Sequence, residues 1–462
     1  MEITEGPGVI DCLHTYNIAI ENGEVRIGPF SVPVGSQHSR PPSFSFEAPT
    51  SLKNAVRVIR ACQITKPILL EGSPGVGKTS LVSALAAVAG QKLIRINLSE
   101  QTDLVDLFGS DLPVEGQTSG GFGWNDADFL RALKEGYWVL LDEMNLASQA
   151  ALEGLNAVFD HRGTIYVPEL DRSFTRHRNF RVFAAQNPLN QGSGRKGLPK
   201  SFLNRFTKVY VEELTPDDLL LICQHLFPNI ESSTLQSMIT FDWRLHEEVV
   251  LKRRFGSSGA PWEFILRDIM RWASLVVHTE GTVDEPWKYL NVVYGTRFRT
   301  DTDRAALLDI YRDVFKDNDV ERRLYPRLIE DQTSVVCGSS ALRKGPSASA
   351  THYSVILSSQ FTRAETALAS IAMNWLVIVA GSHSSGKTKF VRSLASTCGC
   401  SLRELPLGSS SDTSDLIGSY EQINDEFHSQ HIFGALQHFI DAHVASIPEN
   451  DVSSLESPLN RF

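Results

Sequence analysis

Two octapeptides constrain this chain more than anything else in it. Residues 72–79 are Gly72, Ser73, Pro74, Gly75, Val76, Gly77, Lys78 and Thr79; residues 381–388 are Gly381, Ser382, His383, Ser384, Ser385, Gly386, Lys387 and Thr388. Both fit the phosphate-loop pattern of a glycine, four free positions, then Gly-Lys-Thr. Glycines let successive backbone N–H groups wrap an anion, and the helix that follows points its positive end at the same charge. The lysine reaches the β- and γ-phosphates and the threonine hydroxyl holds Mg²⁺, the roles expected of Lys78 with Thr79 and of Lys387 with Thr388. Each copy follows an apolar, strand-like run, 66–71 and 375–380, and precedes an apolar helical pattern, 81–89 and 390–395. That context predicts tandem nucleotide binding, with the copies 309 positions apart.

The bulk composition sets the frame. A chain of 462 residues has room for about three domains. Hydrophobic residues at 42% and charged ones at 21% are ordinary for a globular protein. No run of 18 apolar residues is present, so no membrane span is expected. The first residues carry neither a basic stretch nor an apolar core, so no secretory signal is expected. The six cysteines are scattered, and the one close pair, Cys398 and Cys400, has no companions; reduced thiols in a cytosolic or nuclear protein are the reading. A net charge of −10 argues against a broad nucleic-acid footprint, and no direct nucleic-acid contact is expected.

Along the chain the pattern changes several times. Residues 1–43 hold short β-like pieces at 16–20 and 25–29 and end in a Pro/Ser-rich stretch; too short for a core of their own, they are expected to be an N-terminal extension or the tail of a preceding module. Residues 44–214 open with a helical pattern and then alternate strand and helix, which predicts an α/β core with a parallel sheet. Thr215-Pro-Asp-Asp218 has the form of a helix start, and 215–330 is expected to be mostly helical. Residues 331–354, rich in Ser, Gly and Thr, read as a linker. A second α/β segment, 355–462, is expected to be a partial core.

The first core carries a constellation of candidates. Val139-Leu-Leu-Asp-Glu143 is an apolar strand ending in two acids. After a phosphate loop, that order predicts Asp142 beside Mg²⁺ and Glu143 orienting the attacking water. A third strand ends at Asn187, whose amide would bond the γ-phosphate or that water. Arg205, between Asn204 and Phe206, is either a cation for a neighbouring subunit's phosphate or a salt-bridged helix arginine; spacing leaves both open. Arg267 and Arg271, on an amphipathic pattern, are either cations reaching the nucleotide or ordinary surface charges.

Phosphate loop, Asp-Glu strand end, strand-end Asn, Arg before Phe and then a helical segment: that order resembles an AAA+ ATPase module. The stretches Phe46-Glu-Ala-Pro-Thr50, Pro67-Ile-Leu-Leu-Glu71 with its loop, Asp142-Glu-Met-Asn-Leu-Ala147, Pro261-Trp-Glu-Phe264 and, in the second segment, Asp412-Thr-Ser-Asp-Leu-Ile-Gly-Ser-Tyr-Glu-Gln422 resemble the midasin family, dynein-related AAA+ ATPases of large ribosomal subunit maturation. The resemblance spans about 44–430. It implies an AAA+ core with a helical lid followed by a partial second AAA+ core, ATP rather than GTP, Asn187 as sensor 1, Arg205 as the arginine finger and Arg267 as the lid's sensor 2. It places 121–126 in an insert and 161–168 in a hairpin before sensor 1. The expected partners are neighbouring AAA+ modules of a ring and proteins of the pre-60S particle, in the nucleus, and the chain reads as an internal piece of such a protein or a truncated gene product. A nucleotide-binding scaffold that hydrolyses little, and a MoxR-like chaperone or GTP-specific ATPase, are the alternatives; the second loop disfavours the last two.

Overall fold

The computed structural model describes residues 18–36, 44–113, 122–160, 162–187, 197–277, 283–317, 326–345 and 356–408, with a few isolated positions beyond. The chain divides into a unit over residues 1–401 and a second over 402–462; the stretch 412–422, Gly418 apart, lies outside the described residues.

The described residues open with an antiparallel meander of Ile18–Glu21 (β1), Glu24–Ile27 (β2) and Phe30–Pro33 (β3). Asn22 and Gly23 turn its first corner at φ of 53° and 77°, the left-handed pair that matches strand twist in a tight hairpin. Val25, Ile27 and Val32 are buried with the helix Pro49–Ala61 (α1), which turns Ala55, Val58 and Ile59 inward. The described part of 1–43 is therefore packed on the core.

The core sheet follows from five apolar runs, each bounded by turns: Ile68–Glu71 (β4), Leu93–Asn97 (β5), Trp138–Asp142 (β8), Arg181–Gln186 (β11) and Thr207–Tyr210 (β12). All pair in parallel, in the order β12-β4-β11-β8-β5. Two antiparallel hairpins interrupt the sequence, Gly109–Pro113 (β6) with Phe122–Asp126 (β7) and Thr164–Val167 (β9) with Arg172–Thr175 (β10). Helices Lys78–Val88 (α2), Leu104–Phe108 (α3), Asp128–Glu135 (α4), Gln149–Phe159 (α5) and Lys200–Leu203 (α6) complete the core. Apolar side chains fill both faces of the sheet, Leu69, Val139 and Leu141 on one and Ile68, Leu70 and Leu140 on the other, as parallel sheets require. The phosphate loop leaves β4 between its neighbours β12 and β11, where strand order reverses and ligands of open α/β sheets bind.

A helical layer follows: Pro216–Leu226 (α7), Ser232–His246 (α8), Leu266–Val277 (α9), Leu290–Val293 (α10) and Asp301–Phe315 (α11). Thr215 and Asp218 cap α7 reciprocally. Phe241, Trp272, Tyr294 and Tyr311 form an edge-to-face aromatic core for this layer.

Two expectations fail beyond it. The expected linker, 331–354, holds two strands of a second antiparallel meander, Ser334–Cys337 (β14) and Ser340–Arg343 (β15), and its first strand, Leu328–Glu330 (β13), lies just before, at the end of the stretch expected to be helical. Val335 and Cys337 are fully buried against the helix Phe361–Ala372 (α12), and that burial outweighs a Ser/Gly/Thr composition that reads as loop. The apolar run 375–380 forms no strand, and Leu376 and Ile378 are 99% and 91% exposed. A strand needs a neighbour to bond its backbone groups, and among the described residues none lies beside it. The helix Lys387–Thr397 (α13) nonetheless forms after the second loop.

Candidate nucleotide site

Three neighbouring strands of the sheet end on one cavity of about 770 Å³. β4 delivers residues 74–79, β8 delivers Asp142 and Glu143, and β11 delivers Gln186 and Asn187. Gly75 and Gly77 adopt φ of 78° and 83°, and α2 starts at Lys78 with its N-terminus on the cavity. Lys78 is buried, its Nζ donating to the carbonyl oxygens of Gly72 (2.7 Å) and Ser73 (2.9 Å) and to Asn187 Oδ1 (2.7 Å). Asn187 Nδ2 donates to Glu143 Oε1 at 2.9 Å. Glu143 is held at φ 53°, a region costly for a residue with a side chain and tolerated where surroundings over-determine it. Thr79 Oγ1 donates to Asp142 Oδ2 at 3.2 Å.

The helical layer closes the cavity from the other side. Glu263, Ile265, Leu266, Arg267 and Met270 line it, with Leu214, Ile222, Leu226 and Phe44 adding an apolar wall suited to a flat base. Ile265 rests on the phosphate loop: a Cβ on Gly75 would come within 2.6 Å of it. Asp268 and Arg297 hold the turn that carries Ile265. Arg297 Nη2 donates to the Glu263 carbonyl (2.8 Å), its Nη1 lies 3.3 Å from Asp268 Oδ2, and its guanidinium stands 4.9 Å from the Phe264 ring centre.

The structure thus brings Gly75 to Thr79, Asp142, Glu143, Asn187 and Arg267 together. Gly72 and Ser73 belong to the same loop through their carbonyls. Arg205 stands elsewhere. Its Nη1 donates to the Asn156 carbonyl (2.9 Å) and lies 3.7 Å from Asp160, at the end of α5. Its flanks Phe202 and Phe206 pack on Phe159, which pins the segment and leaves Arg205 off its own cavity. Arg271 also lies off the cavity, its guanidinium 5.7 Å from the Trp375 ring centre. In the second loop, Lys387 Nζ donates to the Gly381 (3.0 Å) and Ser382 (2.7 Å) carbonyls as Lys78 does in the first. Ser384 takes φ 59° where the first loop has Gly75, and Ser384 Oγ lies 2.9 Å from His383 Nδ1. Ser385 and Gly386 complete that turn and Thr388 lies in the first turn of α13, with no acidic strand end beside the loop among the described residues.

Sequence reasoning missed Arg95. From β5 it donates through Nη2 (2.6 Å) and Nε (3.1 Å) to Asp142 Oδ2. Its only trace in sequence is the alternation of Arg95 and Asn97 along one strand face.

The residues fit a Mg²⁺-nucleotide. The turn of left-handed glycines at a helix N-terminus is an anion cradle. The Thr79 hydroxyl and Asp142 carboxylate are hard oxygen donors side by side.

Comparison with known proteins agrees with this geometry. The model of the AAA domain (dynein-related subfamily) matches residues 67–206, and that of the midasin AAA lid domain matches residues 218–318. Midasin of Dictyostelium discoideum is 44% identical over 431 residues, 88% of this chain and 7% of that protein. Midasin of Giardia intestinalis is 39% identical over 422 residues, 85% of this chain and 9% of that protein. The chain therefore spans less than a tenth of the length of these relatives. No described helix is long and apolar enough to cross a membrane. With its sheet, its cavity and its sequence in agreement, the chain is a midasin homologue, a nucleotide-binding AAA core of the dynein-related subfamily carrying a midasin-type lid.

Proposed function

We propose that this chain is an ATP-hydrolysing AAA+ module that works beside neighbouring AAA+ modules of a ring, in a midasin-like machine remodelling pre-60S ribosomal particles in the nucleus. The observation that carries the ATPase reading is the hydrogen-bonded set Lys78–Asn187–Glu143 beside Thr79 and Asp142. Bound triphosphate takes the Lys78 ammonium and the loop amides. Asn187 turns its amide to the γ-phosphate or to the attacking water. Glu143 accepts a proton from that water as its oxygen bonds to Pγ; the bond from Pγ to the bridging oxygen breaks, leaving ADP and phosphate. Thr79 and Asp142 would hold Mg²⁺, which supplies positive charge to the β- and γ-oxygens when bound. Arg267 approaches from the lid as sensor 2. Arg205, off its own cavity, serves as the arginine finger of a neighbouring module's site. Ring, particle and nuclear setting rest on kinship with the midasins, and no nucleic-acid or membrane contact is invoked.

Lys78→Ala should weaken ATP binding about tenfold or more, since charge-assisted hydrogen bonds are lost, read by calorimetry. Glu143→Gln should leave binding intact and cut turnover in the ring by on the order of 10²–10⁴, read by phosphate release. Undiminished affinity in the first variant refutes the loop assignment, and undiminished turnover in the second refutes the base. The position of Arg205 also favours a second reading, a module that holds nucleotide with little turnover. Rapid hydrolysis by the dilute monomer would exclude that reading.

A further inference from the structure

We infer that Arg95 is a built-in counter-ion for Asp142 that competes with Mg²⁺ for the metal position and yields it when Mg²⁺-nucleotide loads. The inference rests on the nucleotide site proposed above. In the parallel pair of β5 and β8, Asn97 stands opposite Asp142 and Arg95 opposite Leu140. Arg95 thus lies two residues back from Asp142, a gap of about 7 Å that its long stem covers. Both of its contacts fall on Asp142 Oδ2, the oxygen that also accepts from Thr79. A guanidinium and a divalent ion cannot share that oxygen at these distances without strong repulsion.

The two partners are unequally fixed. The Asp142 side chain is 13% exposed, and its Oδ1 accepts from the Glu143 amide. The Arg95 side chain is 57% exposed, so it is the partner with room to move. A two-bonded fork gives the pair its geometry, while its exposure keeps it cheap to break. Arg95 also lines the cavity with Lys78 and Thr79, so the phosphates offer it a new anionic neighbour when it leaves. In the second copy Glu404 stands 309 positions after Arg95, so the device belongs to the first copy.

The test is the metal dependence of binding, not turnover. Fluorescent mant-ATP is titrated into the full chain with Mg²⁺ and with EDTA, and the dissociation constant in EDTA is divided by that in Mg²⁺. Removing Arg95 frees Asp142 for Mg²⁺ and leaves an uncompensated carboxylate facing metal-free ATP. Arg95→Gln should therefore raise the ratio about tenfold, and Arg95→Lys, charged but without the fork, should fall between. Adding Asp142→Asn to Arg95→Gln should abolish the rise. An unchanged ratio, with both constants weakened alike or neither moved, would make Arg95 a plain phosphate ligand or a surface charge; a lower ratio would make it an aid to the metal. Either overturns the inference. Failure of the unmutated chain to bind mant-ATP under both conditions would instead overturn the nucleotide site. Circular dichroism of each variant confirms folding.

Discussion

Ser384 and Gly75 occupy corresponding turns of the two phosphate loops, at φ 59° and 78°. A residue with a Cβ pays about 1 kcal/mol or more for that region, and glycine does not. Ser384→Gly should therefore stabilise the second loop by up to about 1 kcal/mol, and Ser384→Val should destabilise it, both read as shifts of the urea midpoint. Two unmoved midpoints would mean that the loop does not hold this turn. The phosphate loops were legible in sequence because the geometry demands nearly every residue in them. Asp142, Glu143 and Asn187 were legible as strand ends following such a loop in the right order. Arg95 was not. A single arginine in a strand reads as a solvated charge, and only sheet order sets β5 beside β8 and chooses Asp142 as its partner.

At the scale of elements, the lid contains a carboxyl that behaves as a neutral acid. Asp242 on α8 is buried and accepts from Tyr294 Oη at 2.8 Å. Burial raises its pKa from 3.8 to about 8, the Asp268 charge adds to the rise, and the Tyr294 hydrogen bond and the Arg297 charge oppose it. The buried Cys223 thiol, itself pushed up to about 12 mainly by burial, also faces this carboxyl. The folded lid thus keeps a proton that the unfolded chain gives up near pH 4. Stability should fall as pH rises through the window from about 4 to about 8, because the native state binds more protons there. Asp242→Asn removes this contribution, so its urea stability should fall less than that of the unmutated chain between pH 5 and pH 8; parallel losses would refute the neutral carboxyl. The alternation of strand and helix over the core and the helical run after Thr215 were legible because long periodic segments declare themselves. The second meander was not, since strands of three or four residues carry too little period to override a loop-like composition. The run 375–380 misled in the opposite direction, because apolar content proposes a strand and only a neighbour makes one.

Across the whole first unit, one architectural sentence is written twice. Meander, helix, phosphate loop and helix occur as β1–β3, α1, the first loop and α2, and again as β13–β15, α12, the second loop and α13. The lid lies between the copies in sequence and touches both: α9 turns Arg267 to the first cavity and, one turn later, Arg271 to Trp375, just before the second loop. Ala369 joins the lid's core, with Met373 and Trp375 packed against it. Trp375→Ala should cost about 1–3 kcal/mol in lost packing and cation–π attraction. In calorimetry the second copy should melt apart from the lid, giving two transitions. A single unshifted transition would show the contact to be incidental.

The meanders are fastened in the same way. Gly35 N donates to the Ala89 carbonyl (2.8 Å) and Gly345 N to the Cys398 carbonyl (2.9 Å). At both places the approach is so close that a Cβ on the glycine would strike the backbone of Gly90 or Gly399. Ala89 and Cys398 end the helices whose other ends begin at Lys78 and Lys387. Mechanically, the incoming chain is anchored to the rear of each phosphate-loop helix. A pull on the polypeptide at Gly35 or Gly345 would therefore act on the rear end of a helix whose front end carries the phosphate-loop lysine. If the first loop holds nucleotide as proposed, load and nucleotide affinity should be linked there, a pull at Gly35 altering affinity and bound nucleotide altering the resistance to that pull.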